Sequence, residues 1–108
     1  MAFEATYKES ALTREEVDHM PGRVLLEFGV DWCPHCQAAQ GPLEQALGTD
    51  SRIAHIKIED GPGRRLGRSF RVKLWPTLIL LADGQEIGRV VRPTTSSDVR
   101  ELLLKAAP

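Results

Sequence analysis

The 108-residue sequence lacks several features that would assign it to common classes of protein. No apolar stretch approaches the roughly 18 residues of a transmembrane helix, so neither a membrane span nor a membrane partner is expected. The N-terminal residues lack the basic start and apolar run of a secretory signal, which favours the cytoplasm. The 14 Lys and Arg residues do not outnumber the 15 Asp and Glu residues, so nucleic acid is not expected as a partner.

Cysteine is scarce, and both of the two cysteines lie in "DWCPHCQ", residues 31–37. A chain of this length can form one ordinary domain with a hydrophobic core that needs no disulfide. No linker, repeat or block of charge divides the sequence, so one domain is predicted over residues 1–108. In a reducing compartment, a close cysteine pair is typical of catalysis or metal binding rather than of a permanent disulfide.

Apolar patterns predict the strands. Residues 23–29 form a nearly continuous apolar run, which is typical of a strand covered on both faces. Residues 52–59 alternate strictly between apolar and polar and predict a second strand. Two further strands are expected as a hairpin around residues 83–84, and a short extra strand at residues 3–7.

Helix signals stand between and beside these strands. Thr13 and Glu16 form a capping box before a first helix, and Ser96 or Ser97 is expected to cap the last helix. The segment after the cysteines has helical composition, which Pro42 is expected to bend or interrupt. The resulting order is helix, strand, helix, strand, helix, strand, strand, helix, which indicates an α/β domain.

The cysteine pair stands where an apolar strand gives way to a helix. Pro34 suits the first helical position, which puts Cys33 at the N-cap, where free N–H groups and the helix dipole favour a thiolate. Cys36 follows on the same helical face, within disulfide distance. We therefore expect Cys33 to be the solvent-exposed thiol of lower pKa and Cys36 to be buried, an arrangement suited to thiol–disulfide exchange.

Two stretches of the sequence resemble the thioredoxin family. "VLLEFGVDWCPHC" is similar to the active-site strand and loop of thioredoxins, and "VKLWPTLILLADGQEIG" is similar to their Pro-Thr strand and hairpin. The resemblance extends from about Phe3 to Lys105. It implies the thioredoxin fold, in which helices flank both faces of a central mixed sheet of four to five strands.

The resemblance also implies an activity. It makes Cys33 the nucleophile and Cys36 the resolving thiol of an oxidoreductase that exchanges electrons with cysteine pairs on other proteins. It makes Pro76 a cis-proline, which leaves the backbone of Trp75 free to pair with an extended substrate. No metal or organic cofactor is implied, and the expected partners of the monomer are protein substrates and a reductase or other thiol electron donor or acceptor.

Two departures from the thioredoxin pattern concern the reaction itself. Pro34 and His35 replace Gly-Pro between the cysteines and resemble the pair in disulfide-forming oxidases of the DsbA type. We expect the His35 imidazole to stabilise the Cys33 thiolate and make the disulfide more oxidising. Glu27 replaces a buried Asp behind Cys36, and we expect its pKa to be raised by burial so that it relays protons.

Other departures concern the substrate groove, which the resemblance assigns to Trp32, Trp75, Pro76 and Arg92. Trp75 is bulkier than the usual aliphatic residue, and Arg92 stands in the place of a glycine. Both tryptophans could shield the disulfide or simply cover the loop. A different class of function, a non-catalytic thioredoxin-like module that docks a protein on this groove, therefore remains an alternative.

Simpler interpretations exist for the remaining polar residues. The cysteines could be a structural disulfide or idle thiols, while a zinc site lacks further ligands of suitable spacing. His55 stands where thioredoxins keep a Lys, but His55 and Lys57 could both lie on a wet face of their strand. The basic run from Arg64 to Lys73 favours a solvated helix face over an anion or nucleic-acid site.

Overall fold

The computed structural model describes residues 3–4, 6–7, 12–48 and 52–105. Within those ranges helices and strands follow the predicted order: α1 (Arg14–Asp18), β1 (Arg23–Gly29), α2 (Pro34–Leu47), β2 (Ile53–Glu59), α3 (Arg65–Ser69), β3 (Thr77–Ala82), β4 (Gln85–Val91) and α4 (Ser96–Leu104). None of these helices has the length and apolarity needed to cross a bilayer.

The helix boundaries follow their capping residues. The capping box of Thr13 and Glu16 is confirmed at α1, but the cap of α4 is Thr95 rather than Ser96 or Ser97. The Thr95 hydroxyl accepts a hydrogen bond from the Asp98 amide at 3.2 Å, and the Asp98 carboxylate accepts one from the Thr95 amide at 3.3 Å. This reciprocal pair satisfies two helix-end donors, which a cap one residue later would leave open.

Pro42 does not interrupt α2, although an interruption was one of the two outcomes expected of it. The helix continues through Pro42 to Leu47. A proline removes a single backbone donor, and the residues on either side are anchored in the core, since Ala39, Leu43 and Leu47 are all buried in one cluster. Tertiary packing on this face outweighs the local helix-breaking tendency.

The sheet is mixed and has the strand order β2-β1-β3-β4. Strands β1 and β2 are parallel, whereas β3 pairs antiparallel with both β1 and β4. The predicted fold class is confirmed with four strands. Residues 3–4 and 6–7 of the expected fifth strand are not in a strand, and residue 5 of that segment lies outside the described residues.

Helices cover both faces of the sheet. Helices α2 and α4 pack on one face around Leu25, and α1 and α3 pack on the other around Leu26. The alternation along β1 therefore directs Leu25, Glu27 and Gly29 toward α2. In the parallel register His55 lies opposite Leu25 and Lys57 opposite Glu27, which places both on the same covered face. The wet-face interpretation of His55 and Lys57 is wrong, because both residues are buried.

Candidate active site

The cysteine pair lies where β1 ends and α2 begins, at one edge of the sheet. Cys33 is the N-cap residue and Pro34 is the first residue of α2, as the sequence predicts. The Cys33 amide donates to the Val30 carbonyl at 3.3 Å, and the Cys33 carbonyl accepts from the Gln37 amide at 2.9 Å. Both cysteines are free thiols in this structure. The turn thus holds Cys33 against the positive end of the helix.

The two thiols differ in access to solvent. Cys33 keeps 6% of its surface exposed and Cys36 only 1%, and both pack with Tyr7, Val30 and the half-buried Trp75. Cys33 is the more exposed of the two thiols, as predicted, but the expectation of an exposed thiol is wrong, since Cys33 is buried with Trp75 packed against its cluster.

The pKa values of the two thiols diverge in the predicted directions. Burial tends to raise the pKa of Cys33, but hydrogen bonds from the Cys36 backbone and thiol and from the His35 backbone, together with the charge of Arg92, bring it below its ordinary value. Burial raises the pKa of Cys36 to about 11. The group of His35 that reaches Cys33 is its main-chain amide, while the residue itself is exposed.

The carboxylate of Glu27 lies fully buried behind the cysteines and is bound on both oxygens. Oε1 lies 2.8 Å from Nε2 of His55. Oε2 accepts hydrogen bonds from the Tyr7 hydroxyl and, at 3.0 Å, from the Gln40 amide. The ammonium of Lys57 lies 4.0 Å from the same oxygen. A buried carboxylate needs such partners to remain stable as a charge.

The orientation of His55 follows from its second nitrogen. The Glu4 amide donates to Nδ1 at 2.8 Å, so Nδ1 acts as an acceptor and the ring proton is on Nε2. His55 therefore donates to Glu27. Lys57 in turn donates to the Gln40 side-chain oxygen at 2.7 Å and lies 4.1 Å from the centre of the Tyr7 ring. Each polar group of the network thus holds its neighbour in place.

The predicted rise in the pKa of Glu27 is wrong. Burial does tend to raise it, but the hydrogen bond from His55, the positive charge of Lys57 and the hydrogen bond from Tyr7 outweigh burial and bring the pKa below its ordinary value. Glu27 is therefore ionised at neutral pH. The apolar sequence of β1 indicates that Glu27 is buried, but it does not show the groups that stabilise the carboxylate, because these belong to other segments of the chain.

The Tyr7 hydroxyl lies between Glu27 and Cys36 and forms a hydrogen bond with each. Burial, followed by the charge of Glu27, raises the pKa of Tyr7 well above its ordinary value, so the phenol stays protonated. Gly29 leaves the space for this contact. A Cβ atom at residue 29 would lie 2.6 Å from both the Cys36 sulfur and the Tyr7 oxygen.

Four members of this network were not identified as site residues from the sequence: Tyr7, Gln40, His55 and Lys57. Tyr7 was expected in a short extra strand at residues 3–7, and Gln40 in the helix after the cysteines. The one usable signal was the polar alternation of His55 and Lys57 within a strand expected next to β1. Two polar residues facing a buried carboxylate are better explained as its partners than as a solvated face.

Trp75 and Pro76 form the opposite wall of the site. The bond between them is cis, as expected from the family resemblance. The Trp75 indole donates to the Asp60 carboxylate at 2.9 Å and meets the Trp32 ring edge to face, with ring centres 5.9 Å apart. Trp32 itself is 72% exposed. Trp75 is thus fixed beside Cys33, while Trp32 presents a large apolar surface to solvent.

Arg92 contacts the Trp75 backbone, which was expected to be free to pair with a substrate. Its Nε donates to the Trp75 carbonyl at 2.8 Å, so the Trp75 backbone is not entirely free for a substrate. The Arg92 amide also donates to the Pro76 carbonyl at 2.9 Å. Its φ of 52° lies in the left-handed region that glycine adopts without strain, which accounts for the glycine that thioredoxins have here.

The basic run lies beside this wall. A cavity of about 290 Å³ is lined by Arg64, Arg68, Lys73 and Trp75, with Asp60 among its other lining residues. Arg64 also approaches Glu59 at 3.8 Å. In the part of the chain that the structure describes, no group of three or more His, Cys, Asp or Glu side chains could hold a metal ion.

The chain matches the thioredoxin family model over residues 5–105. Its fold is also similar to solved structures. Thioredoxin 2 from Pseudomonas aeruginosa PAO1, in its reduced form, is 49% identical and superposes with a TM-score of 0.85, with 96% of both chains covered.

Curated thioredoxins are similar over a shorter stretch. The thioredoxin of Mycobacterium bovis is 35% identical over 71 residues, which cover 63% of this chain and 60% of that protein. Thioredoxin H2-1 of Oryza sativa subsp. japonica is 28% identical over 68 residues, which cover 63% of this chain and 49% of that protein. The chain thus spans between 49% and 60% of the length of these two relatives.

Proposed function

The chain belongs to the thioredoxin family, and from this premise we propose that it is a thiol–disulfide oxidoreductase acting on cysteine pairs of other proteins through Cys33 and Cys36. The observation that carries the proposal is the placement of the two thiols: Cys33 is the N-cap of α2, where its pKa is lowered, and Cys36 is buried in the first turn, where burial raises its pKa. The proposal includes a single domain over residues 1–108, acting as a monomer in the cytoplasm with a reductase or another thiol protein as electron partner.

The proposed reaction has two exchange steps. The Cys33 thiolate attacks a substrate disulfide, forms a mixed disulfide and releases one substrate thiolate. Cys36 then loses its proton and attacks the Cys33 sulfur, which forms the Cys33–Cys36 disulfide and releases the second substrate thiolate. Two electrons pass to the substrate. Ionised Glu27 is the proton acceptor that we assign to the second step, since its carboxylate is linked to Cys36 by Tyr7.

We assign substrate binding to the wall made by Trp32, Trp75, Pro76 and Arg92. The exposed Trp32 offers apolar contact, and Trp75 lies directly against the cysteine pair. The same exposed surface supports the second candidate function, a non-catalytic docking module, because a large exposed aromatic is typical of an interface. A module would bind partners without exchanging disulfides.

Trapping of the mixed disulfide separates the two functions. Reduced Cys36→Ser protein, mixed with insulin as a disulfide substrate, is expected to accumulate a covalent mixed disulfide, because the resolving thiol is absent. Dithiothreitol is expected to reduce this mixed disulfide and release the insulin. The double variant Cys33→Ser with Cys36→Ser is the matched control and is expected to form none. A wild-type protein that neither reduces insulin nor yields a trapped complex as Cys36→Ser would favour the module.

We also propose that the His35 imidazole tunes the redox potential of the pair. His35→Ala keeps the main-chain amide that reaches Cys33 but removes the ring. The variant is expected to be more reducing by roughly 20 to 40 mV, which corresponds to the loss of about one to two kcal/mol of thiolate stabilisation. Equilibration with a glutathione series measures the potential, and pH-dependent alkylation measures the pKa of Cys33. Unchanged values in the alanine variant would assign the effect to the amide alone.

A further inference from the structure

The feature that carries a further inference is the position of the Tyr7 hydroxyl. It forms hydrogen bonds with both the Glu27 carboxylate and the Cys36 thiol, inside a cluster that also contains Val30 and Cys33. Tyr7 is 8% exposed, and the Glu27 carboxylate behind it is fully buried. A buried phenol thus joins the resolving sulfur to a buried carboxylate.

The chemistry of the three groups sets the direction of these hydrogen bonds. An ionised carboxylate can only accept, so the Tyr7 O–H donates to Oε2 of Glu27. The oxygen of Tyr7 keeps lone pairs that can accept from the Cys36 thiol as long as the thiol is protonated. Once Cys36 is ionised, the same contact has Tyr7 as the donor, which favours the thiolate and tends to lower the pKa of Cys36. While Cys36 is protonated, the hydrogen bonds therefore run in one sense, from the Cys36 sulfur through the Tyr7 oxygen to Glu27.

We propose that Tyr7 is the proton relay of the resolving step. As Cys36 attacks the Cys33 sulfur of the mixed disulfide, its proton passes to the Tyr7 oxygen and the phenolic proton passes to Oε2 of Glu27. The Cys33–Cys36 bond forms, the bond between Cys33 and the substrate breaks, and the substrate thiolate leaves with the electron pair and takes a proton from solvent. This proposal rests on the oxidoreductase function proposed above.

The surrounding residues act as positioning residues for the relay. His55, whose proton is held on Nε2 by the Glu4 amide, occupies Oε1 of Glu27 and leaves Oε2 to face Tyr7. Lys57 lies over the Tyr7 ring and balances the carboxylate charge. The raised pKa of Tyr7 keeps its proton in place between turnovers, so the phenol passes a proton on only when it receives one.

The first test is the variant Tyr7→Phe, which removes the hydroxyl and keeps the ring beneath Lys57. Stopped-flow mixing measures two rates: attack of Cys33 on a disulfide substrate, and release of substrate from a preformed mixed disulfide. Release is expected to slow by roughly 100-fold at neutral pH, within the range of a positioned proton-transfer group, while attack is unchanged. Equal release rates in wild type and variant would overturn the relay.

The pH profile distinguishes a relay from a merely structural hydroxyl. In Tyr7→Phe the release rate is expected to rise steeply with pH, because Cys36, whose pKa burial raises, must then lose its proton without the relay. Wild type is expected to show a much flatter profile. A variant that is slow by the same factor at every pH would have lost structure rather than proton transfer.

A double-mutant cycle tests whether Tyr7 and Glu27 act in series. If they do, Tyr7→Phe combined with Glu27→Gln releases substrate no more slowly than the slower single variant. If the slowing of release in the double variant equals the product of the two single slowing factors, Tyr7 and Glu27 contribute independently and the relay is contradicted.

A measurement on the wild-type protein covers the case in which Tyr7→Phe does not fold. The release rate in mixtures of H2O and D2O is expected to follow a curve, because two protons move together, whereas a straight line indicates one proton and rules out the relay. If wild type reduces insulin but its release rate varies linearly with the D2O fraction, the relay is wrong and the oxidoreductase function is unaffected. Failure to form any mixed disulfide would instead overturn that function first.

Discussion

Replacing Cys33 with serine is expected to lower the rate of insulin disulfide reduction by at least about a thousandfold at neutral pH. The reason lies in Cys36, the one thiol that the variant retains. Cys36 is 1% exposed, and a pKa of about 11 leaves about one molecule in ten thousand as thiolate at pH 7. Cys36 can therefore neither reach a substrate disulfide nor supply enough nucleophile to replace Cys33.

The matched comparison is Cys36→Ser, which keeps the attacking thiol. It is expected to release one substrate thiol per protein molecule in a rapid burst and then stop, whereas Cys33→Ser shows no burst. Both variants exchange one sulfur for oxygen in the same cluster, so urea unfolding provides the stability control. Activity of Cys33→Ser within tenfold of wild type would show that Cys33 is not the nucleophile.

Lys57→Met is expected to lower the free energy of unfolding by about 3 to 5 kcal/mol at neutral pH. The methionine side chain has a similar length, and the substitution removes an ammonium that lies 4.0 Å from Oε2 of the buried Glu27 carboxylate. It also removes the donor to Gln40 and the charge over the Tyr7 ring. A buried charge that loses its counter-charge costs far more than an exposed one, because water cannot replace the partner.

The double variant Glu27→Gln with Lys57→Met is the control, since it removes both charges. It is expected to recover much of the lost stability, because a buried ion pair replaced as a whole is often nearly neutral in energy. Urea unfolding of wild type, both single variants and the double variant measures the coupling. If the double variant is destabilised by the sum of the single effects, the charges are not coupled.

The effect of Lys57→Met is also expected to depend on pH. In wild type the folded pKa of Glu27 is lowered, so its contribution to stability is present above the unfolded pKa and is lost as pH falls through the folded value. Without Lys57 the folded pKa of Glu27 rises, and protonation relieves the buried charge. The difference in stability between wild type and variant should therefore shrink as pH falls, first through the raised folded pKa of Glu27 in the variant and then through its lowered folded pKa in wild type.

The parts of the site that sequence patterns predicted are those set by neighbouring residues. Pro34 determines the helix start, and the helix start determines the surroundings of Cys33 within one turn. The order of helices and strands likewise follows from local apolar spacing. The cis bond before Pro76 came from the family resemblance, because nothing local distinguishes it from a trans bond.

The parts that were missed depend on contacts between distant segments. The pKa of Glu27 is set by His55, 28 residues away, and by Tyr7, 20 residues away. The carbonyl of Trp75 is occupied by Arg92, 17 residues further along the chain. Strand register and helix placement create these contacts, and single-residue patterns carry no information about which polar groups meet.

Gly29 gives the site a requirement that no list of reactive groups would contain. Sulfur, phenol and carboxylate meet because residue 29 contributes no side-chain atom, and one methyl group there would overlap both the Cys36 sulfur and the Tyr7 oxygen. A designer who transplants both cysteines, the tyrosine and the glutamate onto another scaffold must therefore copy an empty volume as well. A scaffold with alanine at the position of Gly29 would carry all the reactive side chains but would hold them too far apart to contact one another.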